Sequence, residues 1–325
     1  MMKKVYFLFF CLVFSLSASA QQDANFSQYI FNTIHINPAY AGYKNNIYLQ
    51  SNYRKQWTGV EGAPETFSLS GDMLLMNEKV GLSLMVNKDK IGVQNDLSIY
   101  GGYAYHVYLN QENSKISFGI NAGFLQTSLN GNLFDPNDSG DDYIPISSQS
   151  NLLPDARFGV LFSNATFFTG ISASNILSNF SFGKKKSDWY IGLKPHLYLL
   201  GGMILNVSDD IILKPIALLK DDFGGPTNLD LNGFILLREK IWLGAMYRTG
   251  VKLYDKSNLQ KDLQKSSATG IMMEIFPTQK LRIGYSFDYS LNKLRGENNG
   301  THEISIGLYL RDLNNTKNGF TGCYF

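Results

Sequence analysis

The sequence predicts an all-β chain: a transmembrane β-barrel of the outer-membrane type, with about fourteen antiparallel strands and an N-terminal segment packed inside it. Three observations predict this. Apolar and polar residues alternate with a period of two through most of the chain. The connections between these runs are long and short by turns. No stretch after the first twenty residues offers the ~18 consecutive apolar residues of a spanning helix.

The chain has 325 residues and opens with a stretch that reads as a secretory leader. Lys3 and Lys4 form its positive start, Val5 to Leu16 its apolar centre, and Ala18-Ser19-Ala20 a small-residue cleavage site. The processed chain would begin at Gln21, and the domain reading is leader 1–20, N-terminal plug or periplasmic segment 21–44, barrel 45–311 and tail 312–325. Cys11 sits behind Leu8-Phe9-Phe10, too bulky for a lipidation site. Cys323 alone survives cleavage, so no internal disulfide is expected in this exported chain.

Residues 21–44 do not alternate. Phe26-Ser27-Gln28-Tyr29-Ile30-Phe31-Asn32 mixes aromatic and amide side chains, and Asn37-Pro38-Ala39-Tyr40-Ala41-Gly42 is turn-rich. A segment this apolar is expected inside the barrel, against its polar wall, with Gln28, Tyr29, Asn37, Pro38 and Tyr40 as contacts.

The strands follow. Ile283, Tyr285, Phe287 and Tyr289 face one way, while Arg282, Gly284, Ser286, Asp288 and Ser290 face the other. The runs starting at Val80, Ile116 and Glu303 repeat the pattern. Fourteen segments are expected, at about 46–57, 66–76, 79–88, 96–109, 115–126, 156–163, 166–174, 189–206, 210–219, 227–238, 240–250, 265–276, 279–290 and 301–311. Links after odd-numbered strands are long: 58–65, 89–95, 127–155, 175–188, 220–226, 251–264 and 291–300. Most others are tight, as at Asn77-Glu78, Asn164-Ala165, Glu239 and Pro277-Thr278. Long loops outside and short periplasmic turns are the asymmetry of an outer-membrane barrel. Lipid covers the apolar faces. Arg54, Gln56, Trp57, Lys214, Asp230, Arg248, Arg282, Asp288 and Glu303 are expected to line the lumen and pair there.

Lys and Arg total 29 against 27 Asp and Glu, and losing Lys3 and Lys4 with the leader leaves the processed chain neutral. A nucleic-acid binder of this size carries a basic excess, so nucleic acid is not an expected partner. Charged residues are 17%, too few for a disordered chain. The 30 Gly, 19 Tyr and 22 Phe tilt the composition toward strands.

The sequence carries no recognisable catalytic motif. The four His, at 35, 106, 196 and 302, lack ligand spacing, and no nucleophile elbow, phosphate loop, dinucleotide fingerprint or C-x-x-C occurs. No enzyme activity, cofactor or metal is expected. The loop from Asp135 begins like a calcium loop but has Ile146 where a bidentate Glu is needed. Its Asp135, Asp138, Asp141, Asp142 and Tyr143 read instead as an outer partner-binding surface.

Several stretches in order resemble the PorP/SprF family of Bacteroidetes outer-membrane proteins. They are Gln28-Tyr29-Ile30-Phe31-Asn32, Asn37-Pro38-Ala39-Tyr40-Ala41-Gly42, Arg54-Lys55-Gln56-Trp57, Gly62-Ala63-Pro64, Asn87-Lys88-Asp89-Lys90-Ile91-Gly92, Leu213-Lys214-Pro215, Trp242-Leu243-Gly244-Ala245 and Arg282-Ile283-Gly284-Tyr285. The resemblance implies a part in type IX secretion and gliding motility. It implies an outer-membrane barrel that binds the C-terminal sorting domain of a secreted adhesin and supports its export or surface anchoring. A second family type implies a core component touching a periplasmic lipoprotein and ring proteins. Asn37-Pro38-Ala39 also fits the hatch of FadL-like transporters of hydrophobic compounds; Arg54, Gln56 and Trp57 fit PorP/SprF better.

Overall fold

The computed structural model describes residues 26–75, 78–109, 114–131, 147–177, 194–256, 259 and 266–310. Three 3-10 turns come first: η1 (Gln28–Ile30), η2 (Thr33–His35) and η3 (Pro38–Tyr40). The strands are β1 (Tyr48–Lys55), β2 (Glu65–Leu75), β3 (Val80–Ile91), β4 (Gln94–Tyr108), β5 (Lys115–Leu129), β6 (Gln149–Ser163), β7 (Phe167–Ser174) and β8 (His196–Met203). They continue as β9 (Leu205–Ser208), β10 (Ile211–Asp221), β11 (Thr227–Leu237), β12 (Ile241–Val251), β13 (Ser266–Ile275), β14 (Leu281–Ser290) and β15 (Thr301–Tyr309).

β8 and β9 are two parts of one strand interrupted at Ile204, since both pair with β10. Counted so, fourteen antiparallel strands close into a barrel among the described residues. The first and last meet from Tyr48↔Tyr309 to Lys55↔His302. Closure leaves no row of unpaired N–H and C=O groups facing hydrocarbon, each of which would cost several kcal/mol. Among the described residues no helix is long and apolar enough to cross a membrane, which says nothing of crossing by strands.

The alternation has the expected result. Leu84, Phe118, Phe124, Ile283, Tyr285, Ile304 and Ile306 are exposed on the outside, whereas Ser117, Asn121, Arg282, Asp288 and Glu303 are buried inside. The lumen wall is less uniformly polar than expected. Leu200, Ile216, Leu218, Phe234, Leu236, Trp242, Met246 and Met272 also point inward and form an apolar core with Phe31, Tyr40 and Tyr43. The barrel is thus packed on one side like a soluble domain and hydrogen-bonded on the other.

Three boundaries depart from expectation. The connection after β3 is the turn Gly92–Val93, not a long loop over 89–95, because Lys88, Asp89 and Lys90 remain paired with Leu97, Asp96 and Asn95. The expected loop 127–155 is shorter, since β5 and β6 stay in register as far as Leu129↔Gln149. Pro154 lies inside that ladder and conceals it from a reading by alternation. The expected single strand over 189–206 is broken at Ile204, whose N–H donates to the Thr166 carbonyl instead (2.7 Å).

The turn between β11 and β12 puts two non-glycine residues, Arg238 (φ 48°) and Glu239 (φ 56°), in the left-handed region. Their paired positive φ values match the hairpin turn that suits strand twist, and each costs about 1 kcal/mol without glycine. Glu239→Gly should raise the midpoint of thermal unfolding in detergent by roughly 2 °C. A β-branched residue there should lower it.

Candidate functional site

The distinctive feature of the interior is the path of residues 26–46. The segment starts beside Arg54 and Glu303, toward the long-loop end of β1 and β15, and descends to the short-turn end, where β1 begins. Asn37 and Pro38 set its central bend. Proline restricts the residue before it to extended backbone, and Asn37 accordingly has φ −135° and ψ 114°. The Asn37 side chain then caps η3 by accepting from Ala39 N (2.9 Å).

Hydrogen bonds tie this segment to strands all round the wall. Ser27 N donates to Glu303 Oε2 (2.8 Å) and Ser27 Oγ to Asp288 Oδ2 (2.5 Å). Gln28 Nε2 donates to the Glu303 carbonyl (2.9 Å), and Ser305 Oγ donates to Gln28 Oε1 (2.6 Å). Asn232 donates to the Tyr29 hydroxyl (2.9 Å), and Asn32 donates to Ser70 (2.6 Å). Asn37 Nδ2 reaches the Val160 and Ile171 carbonyls, and Ser172 Oγ donates to the Ile36 carbonyl (2.7 Å). At the short-turn end Gly42 N donates to Asp72 (2.8 Å), and His106 Nε2 lies 3.0 Å from the Ala41 carbonyl.

Glycines let the chain come this close. A Cβ on Gly119 would lie 2.1 Å from Ala39 N, one on Gly159 2.0 Å from Asn37 Oδ1, and one on Gly81 1.9 Å from the Ala41 carbonyl oxygen. Strand glycines normally weaken a sheet or mark a close backbone approach. Here three neighbouring regions of wall, on β3, β5 and β6, form a smooth bed for residues 37–42.

Charges in the lumen fall into two groups. Toward the long-loop end Arg54 donates to Ser27 Oγ, Glu303 and Asp288, all at 2.9–3.0 Å. Arg248 and Lys220 both hold Asp230 (2.9 and 2.8 Å). Toward the short-turn end Arg282 pairs with Glu274 (3.4 Å) and stacks over Phe276 and Tyr309, while Lys214 lies 5.4 Å from the Trp242 ring. Lys44 donates to the Phe31 carbonyl (2.8 Å) and sits over Tyr48 (3.2 Å). Burial, reinforced by Arg157 and then Lys44, holds the His35 imidazole neutral by pushing its pKa down to about 3.

The sequence-chosen residues therefore separate. Arg54, Asp288 and Glu303 bind the segment directly, and Asp230 and Arg248 lie beside it; Gln28, Tyr29, Asn37, Pro38 and Tyr40 are its buried contacts, with Tyr40 stacked on Tyr43 at 4.8 Å. Lys214 and Arg282 belong to the other group. Gln56 and Trp57 do not bind the segment; they line a cavity of about 570 Å³ at the long-loop end, over Phe26, His35 and Ile36. Sequence reading missed Ser27, Asn32, Lys44, Asp72, His106 and the three glycines. The glycines inside strand patterns were the one available signal. Asp135, Asp138, Asp141, Asp142 and Tyr143 lie outside the described residues, as do the leader and the tail.

Among solved structures, the chain is similar to the outer membrane protein Omp33 of Acinetobacter baumannii, at 10% identity and a TM-score of 0.44 over 82% of this chain and 97% of that one. It is also similar to the KdgM porin, at 9% identity and a TM-score of 0.36 over 81% and 99%. No curated protein matches. The model of the type IX secretion system membrane protein PorP/SprF matches residues 18–308. With nearly the whole barrel and the segment inside it under that match, the chain belongs to the PorP/SprF family of type IX secretion system membrane proteins.

Proposed function

We propose that this outer-membrane barrel is a closed anchor of the type IX secretion system, which holds a secreted adhesin by its C-terminal sorting domain and supports its export or attachment at the surface. The observation that carries this reading is the buried segment. Residues 26–46 act as a plug, bonded to strands on every side of the lumen, so a barrel of this kind serves binding rather than diffusion. Its rigid wall fixes the roots of the long loops, where partner contacts are best placed. The acidic stretch Asp135 to Tyr143 is the proposed contact of this kind.

The test is affinity purification of the full-length processed protein from detergent-solubilised outer membrane, with mass spectrometry of what accompanies it. A large secreted protein bearing a C-terminal sorting domain is the expected result. Recovery of a periplasmic lipoprotein and ring proteins in its place assigns the chain to the secretion core. Recovery of neither class of partner would contradict the reading and favour a transporter.

A further inference from the structure

We propose that the cavity at the long-loop end is a seat for an extended polypeptide segment of the exported partner; this rests on the secretion role above and gives that role its contact site. The cavity is a cup. Its walls come from strands around the barrel, and its floor is the N-terminal segment at Phe26, His35 and Ile36. That floor is tied to the wall by hydrogen bonds from Ser27, Asn32 and Ser172, so a polypeptide would reach the cup from the long-loop side.

The lining selects the class of ligand. Arg54, Arg157 and Arg248 are matched by Asp89, Asp96 and Asp288, so the cup presents neither a polyanion site nor a polycation site. Thr66 is bonded to Asp89 and Thr127 to Asp96, which fixes these carboxylates at the wall. Between the charges stand half-buried amides, Gln56, Asn228 and Asn292, which can donate to and accept from a peptide backbone. A saccharide stacked deep in the cup needs free aromatic faces, and the rings of the floor and wall are engaged; Trp57 stands apart from them at the rim. Arg157 covers Tyr100 (4.2 Å), His35 packs on Phe26 (4.8 Å) and His196 stacks on Tyr198 (6.2 Å).

A second feature marks the same place. Trp57 has φ 44°, an unfavourable conformation for a bulky residue, and is held by its N–H to Thr301 Oγ1 (3.2 Å). Its loop is tied on both flanks. Thr58 N donates to the Gly300 carbonyl (2.8 Å) and Gly92 N to the Gly62 carbonyl (2.9 Å). The rim therefore keeps a strained aromatic at the mouth of the cup, preorganised for contact.

The experiment uses the full-length protein in cells, with the secreted protein that accompanies wild type identified first. A photo-crosslinking amino acid is placed at Asn228 or Asn292 in the cup, at exposed Leu253 in a loop, or at lipid-facing Leu84. Adducts from the two cup positions, containing peptides of that same secreted protein, are expected, with none from Leu84. In parallel, maleimide-polyethylene glycol on Asn228→Cys, in a Cys323→Ser background, should lower its recovery by about tenfold. The same label on Leu253→Cys should leave recovery unchanged. Adducts from Leu253 alone, unchanged recovery with the cup blocked, or a saccharide adduct would each overturn the seat while leaving the secretion role in place. If wild type brings down no secreted protein, the role itself fails and the seat with it.

Discussion

Arg54→Ala should destabilise the barrel by about 3–5 kcal/mol, because it leaves two buried carboxylates without their cation. Glu303 and Asp288 both face Arg54 at about 3 Å, with side chains at most 5% exposed. The same guanidinium also holds Ser27, so its loss frees the start of the N-terminal segment as well as the wall. Arg54→Lys should recover only part of the effect, since an ammonium lacks the planar fork that serves three partners at once. Adding Glu303→Gln and Asp288→Asn to Arg54→Ala should restore much of the stability by removing the unpaired charge. Thermal unfolding in detergent, followed by the mobility shift between folded and unfolded forms on gels, reads each step. An Arg54→Ala protein as stable as wild type would mean that the cluster is solvated and that the lumen is wide open there.

The second large effect changes sign with context. Gly119→Val should cost about 1–3 kcal/mol in the full-length protein, because its Cβ would overlap Ala39 N and the Pro38 carbonyl carbon at 2.1 and 2.3 Å. Both are backbone atoms, which cannot rotate away. In a variant lacking residues 26–44 the same substitution should instead be neutral or stabilising, since valine suits a strand better than glycine does. Gly159→Val, against Asn37 Oδ1, should behave alike. The same melts on four proteins give the answer. Equal costs with and without the segment would show that these glycines serve the strands and not the close approach of Pro38 and Ala39.

How much was legible in the sequence follows from how these elements fold. β14 and β15 read cleanly because their outward residues are mostly bulky and apolar and their inward ones, Tyr309 apart, are Arg, Gly, Ser, Thr, Asp and Glu. β11 was legible as a strand but not as a wall of an apolar core. Phe234 and Leu236 point in, Leu231 and Ile235 point out, and two apolar faces have no polarity contrast to report their orientation. The upper half of β6 was hidden by Pro154 and Asp155 in mid-strand. The charged residues chosen for the lumen could be read singly, but their partners could not. Arg54 meets Asp288 and Glu303 only because the first and last strands are neighbours, a consequence of closure that no local pattern encodes. The turn motif over 37–42 announced a special conformation, while its glycine bed on β3, β5 and β6 lies far away in the chain.

The central claim is that residues 26–46 close the lumen. Single-channel conductance in planar bilayers tests it most directly, with the full-length processed protein compared with a variant lacking 26–44, each first shown to be folded by its gel mobility. The full-length protein should be nearly silent, and the shortened one should give stable open levels set by a fourteen-stranded wall. Steady porin-like conductance from the full-length protein, unchanged by the deletion, would contradict the account.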